Sequence, residues 1–452
     1  MDIKTPKQSP APYRKVAAQV RPSTNIHAYP VSYLPIDPTT FFEESPAALY
    51  AHIPFCTKKC HFCNFAVTTT HNDDVRERYV RALVQEIKSA PDKLPMPRST
   101  FQSINIGGGT PALLESEQLA RILDAFRETY PVAADAEIGV EFDPATVNPA
   151  KARELVDVGF SRFSVGVQSF EDEVLARANR DHDATRALEA LATLTSGEIN
   201  DKVFVNLDLI FPLPGLSGNS FLEGVDLAAG LDVDAVTLYG LEIWPKTVFH
   251  HWRSRGELPL PERLDELKFH LQALDVLRSH GYRPGAASAW LSPRTTAPYS
   301  SYLDTVWSGS PVLGFGVSSR STVGHRSWNN VSSIARYLDV IHGGGAPVDS
   351  GCKRTPGQSM RQHVIRGFKR GYVDPAAFEL EFGERLDSVF PTQLEAVANA
   401  GLISESDGIL ELTDHGRVLI PNIVHIFVEA DEREAAPSSL VGVAFDIQSE
   451  GQ

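Results

Sequence analysis

Cysteine is scarce in this chain: there are four in 452 residues, and Cys56, Cys60 and Cys63 fall close together while Cys352 stands far away. A disulfide framework would spread its cysteines along the sequence. The clustering instead reads as metal or redox chemistry in a reducing compartment. Long apolar runs are missing too: none approaches the roughly 20 residues that a membrane-spanning helix needs. The opening segment, MDIKTPKQSPAPYRK, lacks the apolar core of a signal peptide. The expectation is a cytoplasmic protein with no membrane partner. Basic residues are in deficit, with 42 Lys+Arg against 57 Asp+Glu for a net charge of −15. That balance argues against nucleic acid or anionic lipid as the main partner, while leaving room for a local basic pocket.

What is present is an ordinary globular composition, 42% hydrophobic and 22% charged, in a chain long enough for a large catalytic domain and a smaller one. Residues 1–48 are rich in Pro, Thr, Ser and Ala without periodicity, and read as an irregular arm. From LYAHI (Leu49 to Ile53) onward, strand-like and helix-like patterns alternate. The strand-like segments are LYAHI, FQSINI, EIGVEF, FSRFSVGV, VFVNLDLIF and DAVTLYG. Strands separated by helices indicate stacked βαβ units and a parallel sheet that curls into a complete or partial barrel. In such barrels chemistry sits at the C-terminal strand ends, where the cysteines, a glycine triplet, Glu141, Gln168 and Asp208 all fall. Residues 49–330 are read as this barrel with its capping elements, the stretch from about Gly281 to Asn330 being irregular. Residues 331–433 are read as a small helix-plus-hairpin domain of winged-helix type, whose hairpin turns at Asp407-Gly408. A frayed tail is expected over 434–452.

The strongest chemical signal is His52-Ile-Pro-Phe-Cys56-Thr-Lys-Lys-Cys60-His-Phe-Cys63. Three thiolates at this spacing can wrap a cubane, bind three irons and leave the fourth open. Zinc is the weaker reading because it wants four ligands, and Cys352 has no matching neighbour. A c-type haem attachment fails because Asn64, not histidine, follows Cys63.

This loop after a first strand resembles the radical S-adenosylmethionine (SAM) superfamily. HIPFC, INIGGGTP, EFDP, GFSRFSVGVQSF and LDLIFPLPG together resemble its oxygen-independent coproporphyrinogen III oxidase-like branch, from about Tyr50 to Gly240. The resemblance weakens through LGFGVSSRS and the C-terminal region. It implies an α/β fold with a partial (β/α)6 TIM-like barrel and a winged-helix-like α+β domain. It also implies a [4Fe–4S] cluster on Cys56, Cys60 and Cys63, SAM on its open iron, and a low-potential electron donor such as flavodoxin or ferredoxin. Gly107, Gly108, Gly109 and Thr110 match the family's SAM-lining glycine motif. Glu141, Gln168, Arg180 and Asp208 match its SAM contacts, and Tyr50 matches a position near the cluster that is taken here as the catalytic candidate. A tight turn, a strand-end charge, a helix-end arginine and core packing are the plainer readings of these same residues.

One position departs from the branch. Coproporphyrinogen oxidases carry a further cysteine two positions after the third ligand, where this chain has Phe65. CNFAVTTTH, Cys63 to His71, resembles class C radical SAM methyltransferases and haem-trafficking homologues instead. Class C members bind two SAM molecules, so one or two are implied. The favoured expectation is therefore radical C-methylation or methylene transfer (cyclopropanation) on a planar aromatic or heteroaromatic substrate, free or peptide-borne. Oxidative decarboxylation of a coproporphyrinogen-like substrate is the first alternative, and a haem chaperone without turnover is the second. Trp244, Trp290, Trp307 and Trp328 are candidates for a flat substrate pocket, with ordinary lid packing an equal reading. His250 and His251 are read as surface residues rather than ligands.

Overall fold

The computed structural model describes residues 47–428, apart from 71, 95–98 and 287. The arm expected over 1–48 (save Ala47 and Ala48) and the tail over 434–452 lie outside the described residues. Six parallel strands form the framework: β1 (Ala47–Ile53), β2 (Phe101–Gly108), β3 (Val132–Phe142), β4 (Arg162–Gln168), β5 (Phe204–Phe211) and β6 (Ala235–Gly240). They pair in chain order, each parallel to the next. Helices α1 (Asp73–Ser89), α2 (Ser116–Thr129), α3 (Pro149–Val158), α4 (Asp172–Arg177), α5 (Ala184–Leu194) and α6 (Gly218–Ala229) fill the crossovers.

Local chemistry explains these elements. Asn72 caps α1 by accepting from Asp74 N and Val75 N, and Asp73, Asp74 and Lys88 complement the helix dipole. The buried face of α1, with Tyr79, Val80, Leu83 and Ile87, packs against the sheet. Helix α3 starts on the Asn148 cap with Pro149 in its first turn and stops at Gly159, whose φ of 107° few other residues tolerate. Strands covered on both faces need no polar alternation, which is why β1 reads as a continuous apolar run.

The sheet extends further than the alternation predicts. β7 (Arg283–Pro284) and β8 (Ala289–Leu291) add antiparallel beyond β6. On the other edge, β9 (Val312–Phe315) runs parallel to β1, and β10 (Arg320–Val323), β11 (Arg326–Asn330) and β12 (Val348–Lys353) continue antiparallel. The result is one 12-stranded sheet in the order β12-β11-β10-β9-β1-β2-β3-β4-β5-β6-β8-β7. The segment read as irregular thus supplies strands. Those strands are two to five residues long, too short for a period of two to register.

After β6 come α7 (Val248–Ser254), α8 (Arg263–Ser279) and α9 (Ser301–Ser308). Beyond β12, α10 (Pro356–Arg370) opens a small unit with a second sheet of β13 (Tyr372–Val373), β15 (Ile409–Leu412) and β14 (Ile403–Ser406). Its hairpin turns at Asp407 and Gly408, both at positive φ, as a two-residue primed turn requires. Phe368, Phe378, Leu402 and Phe427 form its core, and Leu267 of α8 joins them, tying the unit to the barrel.

Candidate functional site

The cysteine loop springs from the C-terminal end of β1 and is fastened by backbone bonds. Thr68 N donates to Pro54 O at 2.7 Å and Cys56 N to Thr68 O at 3.0 Å, closing the loop on itself. Gly109 N and Thr110 N donate to Ile53 O and Phe55 O at 2.8 and 2.7 Å, docking the end of β2 against it. On the far side His61 N donates to Ala178 O at 3.0 Å, Asn179 Nδ2 to Lys59 O at 2.9 Å, and Phe249 N of α7 to His61 O at 3.1 Å. Glycine is required where β2 meets the loop. A Cβ on Gly109 would lie 2.6 Å from Phe55 O and 2.9 Å from Cys56 Sγ, and Gly108 sits at a φ of 117° with the His52 ring at its back.

The three thiols share this loop. Thr110 Oγ1 lies 3.8 Å from Cys56 Sγ, and Arg180 Nη1 donates to Cys60 Sγ at 3.1 Å. Burial pushes the Cys56 thiol up to about 12, and it raises Cys63 as well, each thiolate also repelling its neighbours. The metal-free Cys56 and Cys63 thiols therefore hold their protons more tightly than a free thiol, and iron must displace them. Among the described residues no group of three His, Cys, Asp or Glu is arranged around a single ion. A cubane places each thiolate on a different iron, so its ligands stand farther apart than those of one ion. Three thiols with donors on two of the sulfurs fit such a cluster.

Around the loop the C-terminal strand ends bring the other predicted residues together. Glu141 ends β3 and accepts from Gly108 N at 3.2 Å; burial raises its pKa. A Cβ on Gly107 would fall 2.4 Å from Glu141 Oε1, so the glycine triplet lets this carboxylate close over β2. Asp208, in β5, accepts from Asn206 Nδ2 at 2.8 Å; Asn206 Oδ1 in turn accepts from Thr237 Oγ1 at 2.8 Å. Burial, against that hydrogen bond and reinforced by Glu141, pushes Asp208 up to about 7. Gln168 ends β4 at a φ of 73°, and its Oε1 is buried without a partner among the described residues. Asp208 lies within β5, three residues short of its end, so the expected strand-end position is corrected; an orphaned acceptor at the end of β4 and two deep carboxylates nearby suit a polar, cationic ligand such as SAM.

Arg180 is the hub. Besides Cys60 it reaches the Gly166 carbonyl and forms an ion pair with Asp143 Oδ2 at 2.6 Å, both side chains nearly buried. His182 completes the group, Nδ1 facing Asp143 Oδ1 at 3.2 Å and Nε2 facing Val167 O at 3.1 Å. The sequence reading missed Asp143 and His182. The former lay in the quoted EFDP block, but only tertiary contact pairs it with Arg180.

Tyr50 lies on β1 with its hydroxyl 3.1 Å from His52 Nδ1, while His52 Nε2 lies 3.1 Å from Ala66 O. Only the tautomer protonated at Nε2 satisfies both contacts: that N–H donates to Ala66 O, and Nδ1 accepts from Tyr50. Burial lowers the His52 pKa and keeps the ring neutral. Tyr50 stacks on Tyr302 of α9 with centroids 6.1 Å apart. Tyr239 of β6 keeps 42% of its surface accessible, yet burial holds its phenol well above the ordinary range, with Asp208 and Glu141 adding to the shift. Trp290 and Trp328, candidates for a flat pocket, are both only 1% exposed and pack inside the sheet instead. Tyr239 and Tyr302, which the sequence reading did not select, stand close enough to Glu141 for its charge to raise their phenols further.

The profile described as the Radical SAM superfamily matches residues 50–228, and that of the HemN C-terminal domain matches residues 369–419. The chain is 30% identical over 383 residues to the heme chaperone HemW of Mycobacterium tuberculosis, spanning 84% of this chain and 94% of that protein. It is 29% identical over 405 residues to the oxygen-independent coproporphyrinogen III oxidase of Escherichia coli, spanning 85% and 86% respectively. The solved coproporphyrinogen III oxidase HemN of Escherichia coli matches with a TM-score of 0.72 and 26% identity, over 85% of this chain and 90% of that one. The chain belongs to the radical SAM superfamily, in the branch that carries the HemN C-terminal domain. It is a radical SAM enzyme, and its cofactors are a [4Fe–4S] cluster and SAM.

The expectation of methyl or methylene transfer is overturned by these relatives. Over nearly its whole described length the chain aligns with heme chaperone and coproporphyrinogen oxidase proteins. The methyltransferase expectation rested on Phe65 and the short segment after it, a local likeness that the full-length agreement outweighs. Among the described residues no helix is long and apolar enough to cross a membrane.

Proposed function

We propose that this enzyme directs a SAM-derived radical at a propionate-bearing tetrapyrrole, in oxidative decarboxylation of the coproporphyrinogen type. The observation that carries the reading is the match across both modules to coproporphyrinogen III oxidase, at a TM-score of 0.72. When bound and reduced, the cluster supplies the electron that splits SAM into methionine and a 5′-deoxyadenosyl radical. In this reading Cys56, Cys60 and Cys63 hold three irons. Gly107, Gly108, Gly109 and Thr110 let backbone groups approach the methionine end of SAM without side-chain obstruction. Gln168 offers its unpartnered Oε1, and Glu141 and Asp208 offer carboxylates that a cation or hydroxyl would satisfy. Arg180 holds a fixed positive charge beside Cys60, suited to the SAM carboxylate. Tyr50, tied to His52 and stacked on Tyr302, offers an aromatic surface suited to a flat ring. Reduction comes from a flavodoxin- or ferredoxin-type donor, and the setting is cytoplasmic.

Anaerobic reconstitution followed by SAM, dithionite and coproporphyrinogen III tests this, with 5′-deoxyadenosine and decarboxylated porphyrinogen read by mass spectrometry. Substrate-stimulated cleavage with loss of CO2 is expected. A second reading, haem carriage without turnover, is favoured by Phe65, which is 56% exposed where coproporphyrinogen oxidases carry a further cysteine. It expects stoichiometric haem binding and no cleavage stimulated by porphyrinogen.

A further inference from the structure

One face of the parallel sheet is rich in polar side chains. A period of two puts Asn206 and Asp208 of β5 on the same side, and the β5–β6 register sets Thr237 opposite Asp208. Barrel interiors are ordinarily filled by branched apolar side chains. Here three polar groups stand in line behind the carboxylate: Asn206, Thr237 and Tyr299, at 1%, 2% and 8% exposure. Burying them is unfavourable unless each finds a partner.

Their hydrogen bonds run in one direction. Tyr299 Oη lies 2.9 Å from Thr237 Oγ1, Thr237 Oγ1 donates to Asn206 Oδ1 at 2.8 Å, and Asn206 Nδ2 donates to Asp208 Oδ1 at 2.8 Å. Thr237 has a single hydroxyl proton and gives it to the amide carbonyl, so its bond with Tyr299 is one that it accepts. The carboxylate therefore receives the last donor of a three-step chain. Asp208 itself is half-buried, so the acceptor end of the chain keeps open surface while the links behind it do not.

The far end of the chain is fixed. Arg162 of β4, itself buried, donates to Tyr299 O and stands over the Tyr299 ring at 4.7 Å and the Phe204 ring at 4.4 Å. The residues that follow Tyr299 are held too. Glu137 Oε1 of β3 accepts from Ser300 Oγ at 2.8 Å and from Tyr302 N at 3.2 Å, and Ser300 Oγ caps α9 by accepting from Leu303 N at 3.3 Å. The charged and titratable groups that reach Asp208 are Glu141 of β3, Arg162 of β4, Tyr239 of β6 and Tyr299. Burial raises the carboxyl most; the Asn206 donor opposes it, Glu141 adds to the rise, and Arg162 and Thr237 lower it again, leaving a value of about 7. Near that balance, loss of one donor to the ionised form changes which form prevails at neutral pH.

We propose that Asn206, Thr237 and Tyr299 are positioning residues, which hold the Asp208 carboxylate in one orientation as an acceptor for the bound cofactor. That Asp208 is held as an acceptor follows from the direction of the donor chain; that its ligand is SAM rests on the function proposed above. A donor on an ionised acceptor is the stronger kind of hydrogen bond, so the chain supports the form of Asp208 that a cationic or hydroxyl-bearing ligand needs.

Two measurements test this on wild type, Thr237→Val, Thr237→Ser, Tyr299→Phe and Asp208→Asn. Melting temperature against pH, on the cluster-free protein, reports the titration of Asp208 with no cofactor present. Equilibrium dialysis of SAM against cluster-loaded protein, without reductant and so without cleavage, reports affinity. Thr237→Val is expected to carry the Asp208 part of the pH slope upward by roughly one pH unit, because the ionised form loses support. Its SAM affinity at about pH 7 should fall roughly 10-fold and recover toward about pH 8.5, with Thr237→Ser near wild type. Tyr299→Phe keeps the ring beneath Arg162 and should move both readings in the same direction, which preserves the test should Thr237→Val not fold. A purely structural loss would lower melting alike at every pH and leave the slope in place. That result, or wild-type SAM affinity in Thr237→Val and Tyr299→Phe beside a loss in Asp208→Asn, overturns the positioning role and leaves the SAM contact intact. If the slope moves while neither Thr237→Val nor Asp208→Asn changes SAM affinity, the donor chain stands and the SAM contact fails.

Discussion

Arg180 and Asp143 form an ion pair at 2.6 Å that couples the cysteine loop to the end of β3, because the same guanidinium donates to Cys60 Sγ at 3.1 Å. Although burial alone would raise the Asp143 pKa, Arg180 and His182 hold it below the ordinary aspartate range. A group whose folded pKa is depressed contributes stability above its unfolded pKa, and that contribution is lost as pH falls through the folded value.

Asp143→Asn therefore leaves a buried guanidinium without its counter-ion. Breaking such a pair is expected to cost about 3–5 kcal/mol in chemical denaturation of the cluster-free protein. Iron content after reconstitution should fall as well, because Arg180 loses its tether. Unchanged stability and full iron loading would show that the pair does not position the loop.

Gly109→Ala tests the seating of the loop. The added methyl would meet Phe55 O at 2.6 Å and Cys56 Sγ at 2.9 Å, with the carbonyl unable to move without releasing the bond from Thr110. The expected result is a folded protein, by circular dichroism, that takes up markedly less iron than wild type. Normal cluster absorbance would contradict it.

The raised carboxylates give the cluster- and SAM-free protein a pH signature. Asp208 has a folded value near 7, against an ordinary value of 3.8. Between those values the folded state keeps a proton that the unfolded state has released, so stability falls as pH rises. Melting temperature should decline between about pH 5 and about pH 7.5, and Asp208→Asn should flatten part of the slope. Glu86, Glu141, Asp234 and Glu242, also raised by burial, account for what persists. A slope identical in Asp208→Asn would assign the effect elsewhere.

Tyr50→Phe removes the donor to His52 Nδ1 while keeping the stack on Tyr302. A loss of about 1 kcal/mol in stability is expected, with SAM cleavage in the absence of substrate close to wild type. Loss of that uncoupled cleavage would give Tyr50 a direct part in the chemistry.

The parallel framework was legible because strand-like segments such as β1 alternate with capped, helix-patterned segments such as α3. β7 to β11 were not, since two to five residues carry too little alternation. The cysteine loop was legible from spacing alone, while the glycine triplet, Glu141, Gln168 and Asp208 were singled out by the family resemblance; Asp208 lies within its strand rather than at the end. Asp143, His182, Tyr239 and Tyr302 were hidden because their neighbours come from other strands and helices. Trp290 and Trp328 misled, for an aromatic inside a short unrecognised strand looks like an aromatic in a loop. The substrate class misled for a related reason: the segment after Cys63 is brief, while the relationship that decides it extends through the C-terminal domain.

The central claim is tested most directly by 5′-deoxyadenosine formation from SAM under dithionite, with and without coproporphyrinogen III, in wild type and Cys60→Ala. The account predicts cleavage that depends on Cys60 and rises with coproporphyrinogen III, accompanied by its decarboxylation. A fully loaded cluster that cleaves SAM no faster with the porphyrinogen and leaves it intact would contradict it.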